Sequence, residues 1–198
     1  MAGTRGRFHR NTQQAPDFRL AKVTDKFKTL LPELVHEVGA KRVGFESAHL
    51  TVDQHQEWQE VAEGFELVPT KELVEGIRAV KDENELSKIR KAIALADEAF
   101  AHIVSFIEPG MTEKEVAWEL EVFMRTHGAA KVSFDLIVAS GPNGAMPHAT
   151  VSERVIRAGE PIVMDLGAMI DGYNSDLTRT ICADRPDDKF KVLSIHTS

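Results

Sequence analysis

The chain has 198 residues, 42% of them hydrophobic, enough to bury a core as one large domain or two small ones. Its 31 acidic against 24 basic residues give a formal net charge of -7, the opposite of the basic footprint that a phosphate backbone demands, so nucleic acid is excluded as a partner. The single cysteine, Cys182, excludes an intrachain disulfide and a thiolate cluster for zinc, and it favours a reducing compartment, the cytoplasm. No apolar run reaches the ~18 residues of a membrane span, and no secretory signal is evident at the amino end, so no membrane partner is expected.

Residues 1–15 include an acid-free stretch rich in Arg, Thr and Gln and read as a disordered tail. Phe27, Leu30, Leu31, Leu34, Val35 and Val38 recur at helical spacing and Gly39 supplies a stop, which predicts an amphipathic helix from Phe27 to Val38. Lys41 to Phe45 reads as a strand, Thr51 to Ala62 as a helix, and Phe65 to Val68 as a strand that Pro69 ends. This alternation predicts a small α/β unit over residues 16–80. The strongly charged stretch from Gly76 to Glu85 marks a boundary, and residues 81–198 form a second domain.

A longer helix begins there, with Leu86, Ile89, Ile93, Phe100, Val104 and Ile107 on the face expected to pack, up to Pro109-Gly110. Thr112 and Glu115 have capping-box spacing and open a further helix through Val116, Leu120 and Phe123, closed near Gly128. Phe134 to Ala139 reads as a strand, and Gly141-Pro142-Asn143-Gly144 as a loop. Pro161 to Ile170 and Tyr173 to Cys182 flank Asp171-Gly172, the dipeptide suited to a two-residue hairpin turn because both positions take positive φ.

With that turn, Ile170 faces Tyr173, Gly167 faces Asp176 and Asp165 faces Thr178. Alternation then puts Asp165, Gly167, Asn174, Asp176 and Thr178 on one side, with the two aspartates as diagonal neighbours. Paired carboxylates on an otherwise apolar hairpin repel each other unless something compensates, and a divalent cation does so. The competing reading is that both aspartates sit at a solvated edge or accept hydrogen bonds from Thr178 and Arg179.

FDLIVASGPNG from Phe134 to Gly144, Pro147-His148-Ala149, and VMDLGAMIDGYNSDLTRTI from Val163 to Ile181 resemble the pita-bread metallopeptidases, aminopeptidase P and prolidase in particular. GIRAVKDENELSKIRKA from Gly76 to Ala92 is similar to the start of their catalytic domain, and IEPGMTEKEVA to its helix-to-helix turn. The resemblance implies a creatinase-type N-terminal α/β part followed by an α+β pita-bread part. It also implies two divalent metals, manganese, cobalt or zinc, that activate water against the peptide bond ahead of a proline. Asp165 would ligate one metal, Asp176 would bridge both, His148 would contact substrate or the developing oxyanion, and Thr178 would support Asp165 from behind. Substrates would be proline-containing peptides, and a homodimer is suggested.

A complete site of that family takes one histidine and two glutamates from later strands, whereas residues 161 to 198 contain no glutamate and His196 does not match the family histidine. Both domains are therefore expected to be incomplete, and the chain inactive alone. Three other functions are weighed: a creatinase-like amidinohydrolase on the same fold, a non-catalytic peptide- or protein-binding module, and a methionine aminopeptidase, which the α/β segment ahead of Gly76 disfavours. The remaining histidines are assigned no role, Trp58, Trp118 and the phenylalanines are expected in the core, and Cys182 is expected to pack as a small hydrophobe.

Overall fold

The computed structural model describes residues 19–23 and 26–185; the amino-terminal tail and His196 lie outside them. The chain divides between Val80 and Lys81 into two compact units.

In the first unit, helix α1 (Phe27–Val38) stops at Gly39, whose φ of 67° suits a residue without a β-carbon. Strands β1 (Arg42–Glu46) and β2 (Glu66–Thr70) pair in parallel from Arg42 opposite Glu66 to Glu46 opposite Thr70. Leu31, Val35 and Phe65 form the buried core, with Val43, Trp58 and Leu67 packed against it. Helix α2 (Val52–Gln59) is capped by Thr51 and Gln54 in a reciprocal capping box and is shorter than its sequence pattern suggests. Pro69 does not end β2 but lies within it opposite Phe45, tolerated because each strand of a two-stranded sheet has an edge with no ladder to break. Helix α3 (Leu73–Ala79) has no counterpart in the sequence reading: its apolar Leu73, Val74 and Ile77 are exposed, and Gly76 within it reads as a break at the boundary.

The second unit begins with helix α4 (Glu83–Phe106), capped by Asp82 and Glu85, and helix α5 (Glu113–Thr126), capped by Thr112 and Glu115, both through reciprocal capping boxes. Then come β3 (Lys131–Val132), β4 (Ile137–Ser140), a 3-10 turn (Gly141–Ala145), β5 (Pro161–Leu166), β6 (Ala168–Ile170), β7 (Tyr173–Asn174) and β8 (Leu177–Cys182). They build two antiparallel sheets in the orders β4-β5-β8 and β3-β6-β7. The 134–136 segment stays outside β4, and the Gly-Pro-Asn-Gly loop is wound into the 3-10 turn.

One hairpin supplies strands to both sheets. Asp171 and Gly172 have φ of 50° and 85°, and the pairings Ile170 with Tyr173, Met169 with Asn174, Leu166 with Leu177 and Asp165 with Thr178 keep one register through the break between strands. Ile162, Met164 and Leu166 point into the main core with Val138, Leu95, Ile103, Val116 and Leu120, each fully buried aliphatic side chain contributing roughly 1.5–3 kcal/mol. Val163 and Asp165 alternate with them and take the opposite face.

The packed face of α4 differs from the expected one. Ala92, Leu95, Ala96, Ala99 and Ile103 are buried, while Ile93 is 46% exposed and Val104 is exposed as well. Three alanines fill the buried stripe alongside Leu95 and Ile103, and of the expected face Phe100 and Ile107 do pack against the core while Ile93 and Val104 turn outward. Trp118, expected in the core, is 65% exposed. Among the described residues, no helix is long and apolar enough to cross a membrane.

Candidate functional site

The hairpin carrying both aspartates is pinched at Gly167. A β-carbon there would lie 2.1 Å from the Ser175 carbonyl oxygen and 3.0 Å from Ser133 Oγ, so the close approach requires glycine. The Ser133 N–H donates to the Gly167 carbonyl at 2.8 Å, the Ser175 N–H to the Ala168 carbonyl at 3.0 Å, and the Ala168 N–H to Ser175 Oγ at 3.0 Å. These bonds keep the register where the ladder switches sheets, and they set Asp176 beside the strand pair that bears Asp165.

The Thr178 hydroxyl donates to Asp165 Oδ1 at 3.0 Å. Burial pushes the Asp165 carboxyl above its usual value; the Thr178 hydrogen bond opposes this, and the neighbouring Asp176 carboxylate adds to it by repulsion. Asp165 is half-buried, and Asp176 and Thr178 are exposed. The Arg179 guanidinium donates to the Thr178 carbonyl at 2.9 Å, so of the competing reading the Thr178 bond to Asp165 and the exposure of Asp176 are met and, among the described residues, the Arg179 bond is not. Two repelling carboxylates, one of them desolvated, are the hard-oxygen donor chemistry that suits a divalent cation.

His148 is exposed and follows the 3-10 turn. Gly144 of that turn sits against β5, where a β-carbon would be 3.3 Å from Val163 Cγ2. Val163 shares the Asp165 face, so Gly144 lies on that side of β5, while Asn143 of the same turn reaches Glu113 at the start of α5. Among the described residues no hydrogen bond joins His148 to Asp165, Asp176 or Thr178; Asp165 is hydrogen-bonded to Thr178 and lies close enough to Asp176 to be repelled by it.

Sequence reasoning missed Glu113, a fully buried carboxylate at the start of α5. It accepts hydrogen bonds from the Ser140 N–H (2.7 Å) and hydroxyl (2.8 Å), from Asn143 Nδ2 (3.1 Å) and from the Ser152 hydroxyl (2.5 Å). Burial alone would raise its carboxyl, but the Ser152, Ser140 and Asn143 donors hold it below the usual carboxylate value. Beside it, the Arg154 guanidinium donates to Glu160 at 2.5 and 2.7 Å and to the Ser140 hydroxyl. The available signal was periodicity: Glu113 stands on the helix face of Val116, Leu120 and Met124, where an acid is out of place unless it is paired.

Two further features stand apart. His49, given no role from sequence, lies with Glu46 and Glu75 in the first unit, their ligand-capable atoms within 4.8 Å of one another; Glu46 is half-buried, and His49 and Glu75 are exposed. A cleft of about 380 Å³ is lined by Trp118, Glu121, Val132, Leu136 and Val151.

Residues 87–196 match the model of metallopeptidase family M24, and residues 4–80 match that of the creatinase/prolidase N-terminal domain. An uncharacterised peptidase of Bacillus subtilis is 41% identical over 161 residues, 81% of this chain and 46% of the relative. A Xaa-Pro dipeptidase of Pyrococcus horikoshii is 36% identical over 169 residues, 85% of this chain and 48% of the relative. Of solved structures, a Xaa-Pro dipeptidase from Bacillus anthracis superposes with a TM-score of 0.84 at 40% identity, covering 92% of this chain and 52% of that one. The X-Pro aminopeptidase from Thermotoga maritima gives a TM-score of 0.81 at 35% identity, covering 92% and 53%. The chain spans about half the length of the curated relatives it matches. By sequence and by fold, it belongs to the metallopeptidase family M24, with part of the pita-bread fold behind a creatinase/prolidase-type N-terminal domain.

Proposed function

We propose that this chain carries part of a metal-dependent peptidase site for Xaa-Pro bonds, of the prolidase or aminopeptidase P type. The observation that carries the reading is the half-buried Asp165, held by the Thr178 hydroxyl at 3.0 Å and lying beside the exposed Asp176 carboxylate that repels it. The names of the relatives, Xaa-Pro dipeptidase and X-Pro aminopeptidase, supply the substrate class.

In this reading Asp165 and Asp176 hold divalent cations, two in the complete site and drawn from manganese, cobalt or zinc, and Thr178 orients Asp165 through its hydroxyl. Bound cations supply Lewis acidity and lower the pKa of water. His148 donates a proton or hydrogen bond to the oxygen of the scissile carbonyl as negative charge develops there. Residues 16–80 act as the creatinase-type N-terminal domain and residues 81–198 as part of the catalytic domain. Proline-containing peptides are the partners, a homodimer the assembly and the cytoplasm the location.

The test is metal uptake and hydrolysis of proline-containing di- and tripeptides by the 198-residue chain with manganese, beside an Asp165→Ala, Asp176→Ala variant. Bound manganese and any hydrolysis are expected to disappear in the variant. Equal metal uptake by both proteins would overturn the assignment of the two aspartates.

A further inference from the structure

We propose that Glu113 is a positioning residue for His148: its buried carboxylate ties together the two ends of the loop that presents the histidine. The proposal rests on the peptidase reading insofar as His148 faces a substrate.

His148 has no hydrogen bond of its own among the described residues, so where its imidazole sits is decided by the backbone on either side. The segment leaving the loop is fastened to the start of α5 by backbone bonds. The Glu113 N–H donates to the Arg154 carbonyl at 3.0 Å, the Lys114 N–H to the Ser152 carbonyl at 3.2 Å, and the Ile156 N–H to the Met111 carbonyl at 2.8 Å. The segment entering the loop comes off the end of β4 at Ser140 and passes Asn143 in the 3-10 turn. The Glu113 side chain spans the two, with Ser140 and Asn143 donating from the entering side and Ser152 from the leaving side.

For packing alone an apolar residue would serve at this position, as Val116, Leu120 and Met124 do on the same face. What a carboxylate adds is direction: four donors from two segments converge on two oxygens, and removing the carboxylate would leave the buried Ser140 N–H and hydroxyl without that acceptor. This fixes the spacing of the loop's ends while its tip stays exposed. The Arg154–Glu160 pair, which also reaches the Ser140 hydroxyl, braces the entering side from behind.

The experiment is hydrogen exchange by NMR on the 198-residue chain, following the 141–151 amides and the His148 imidazole resonance in wild type, Glu113→Gln and Ser152→Ala. Lys114→Ala, which breaks the exposed Lys114–Glu153 ion pair between the same two segments, is the control. Glu113→Gln and Ser152→Ala are expected to speed exchange of the 141–151 amides roughly tenfold or more, the worth of one hydrogen bond to a charged group. They should also displace the His148 signal, with the amides of Ile162, Met164 and Leu166 in β5 unchanged and Lys114→Ala without effect. An unmoved loop and His148 signal, or loosening shared equally by β5, would overturn the proposal. If Glu113→Gln does not fold, Ser152→Ala decides by the same criteria. Failure of the peptidase reading is seen separately, as metal uptake indifferent to Asp165 and Asp176.

Discussion

The Thr178 hydroxyl reaches across the β5–β8 pair to Asp165 Oδ1 at 3.0 Å, the one hydrogen bond that opposes the burial and repulsion acting on that carboxylate. Because the folded-state pKa of Asp165 is raised, the folded protein binds more protons than the unfolded chain between the ordinary carboxylate value and the raised one, and stability is lost as pH rises through that window. Asp165→Asn is therefore expected to raise the melting midpoint of the metal-free protein at neutral pH. The gain should vanish below the ordinary carboxylate range, where wild type is protonated too. Melting curves across pH, without metal, check this; a lower midpoint for the variant at neutral pH would contradict it.

Gly167→Ala is expected to be severe. Its β-carbon would meet the Ser175 carbonyl oxygen at 2.1 Å, a backbone atom that cannot swing aside as a side chain would. Overpacking of this kind costs roughly 3 kcal/mol or more. Denaturant titration reads the loss, and any folded remainder should bind manganese more weakly because Asp176 is displaced relative to Asp165.

Glu160 is held below the usual carboxylate range by its hydrogen bond to Arg154, against burial and with help from the Arg157 N–H. A depressed folded-state pKa contributes stability that is present above the ordinary carboxylate value and lost as pH falls through the folded one. Glu160→Ala should cost roughly 2–3 kcal/mol at neutral pH by stranding the partly buried Arg154. It should also flatten the acid limb of the stability profile, measured by urea titration from neutral to acid pH.

The face of α4 can be tested with a pair of substitutions. Ala99 is fully buried against the sheet, so Ala99→Leu should destabilise by about 1–3 kcal/mol. Ile93 points outward, and Ile93→Ala should change stability by no more than about 0.5 kcal/mol. Equal effects would mean the helix is rotated from the orientation described.

Much of this was legible in the chain. The capping box at Thr112 is legible from residues three apart, and the boxes at Thr51 and Asp82 open helices at the places that periodicity and charge mark in the sequence. The α4 face is legible in part: Phe100 and Ile107 pack as expected, but Ile93 and Val104 turn outward because the stripe of Ala92, Ala96 and Ala99, which large aliphatic residues overshadow in a sequence pattern, faces the core. Helix α3 is hidden by Gly76 and the charges around it, which read as a boundary, and Trp118 is exposed where aromatic residues are usually buried.

The sequence by itself determined the hairpin: Asp171-Gly172 sets the turn, the turn sets a constant pairing register, and alternation then puts Asp165, Asp176 and Thr178 on one side. Each step is local, so each can be read along the chain. Tertiary structure alone decided how Glu113, Ser140, Asn143 and Ser152 meet, and which way the loop bearing His148 folds over the sheet. Those residues are brought together by packing α5 on the β4 side of the sheet, a long-range event that leaves no spacing rule behind.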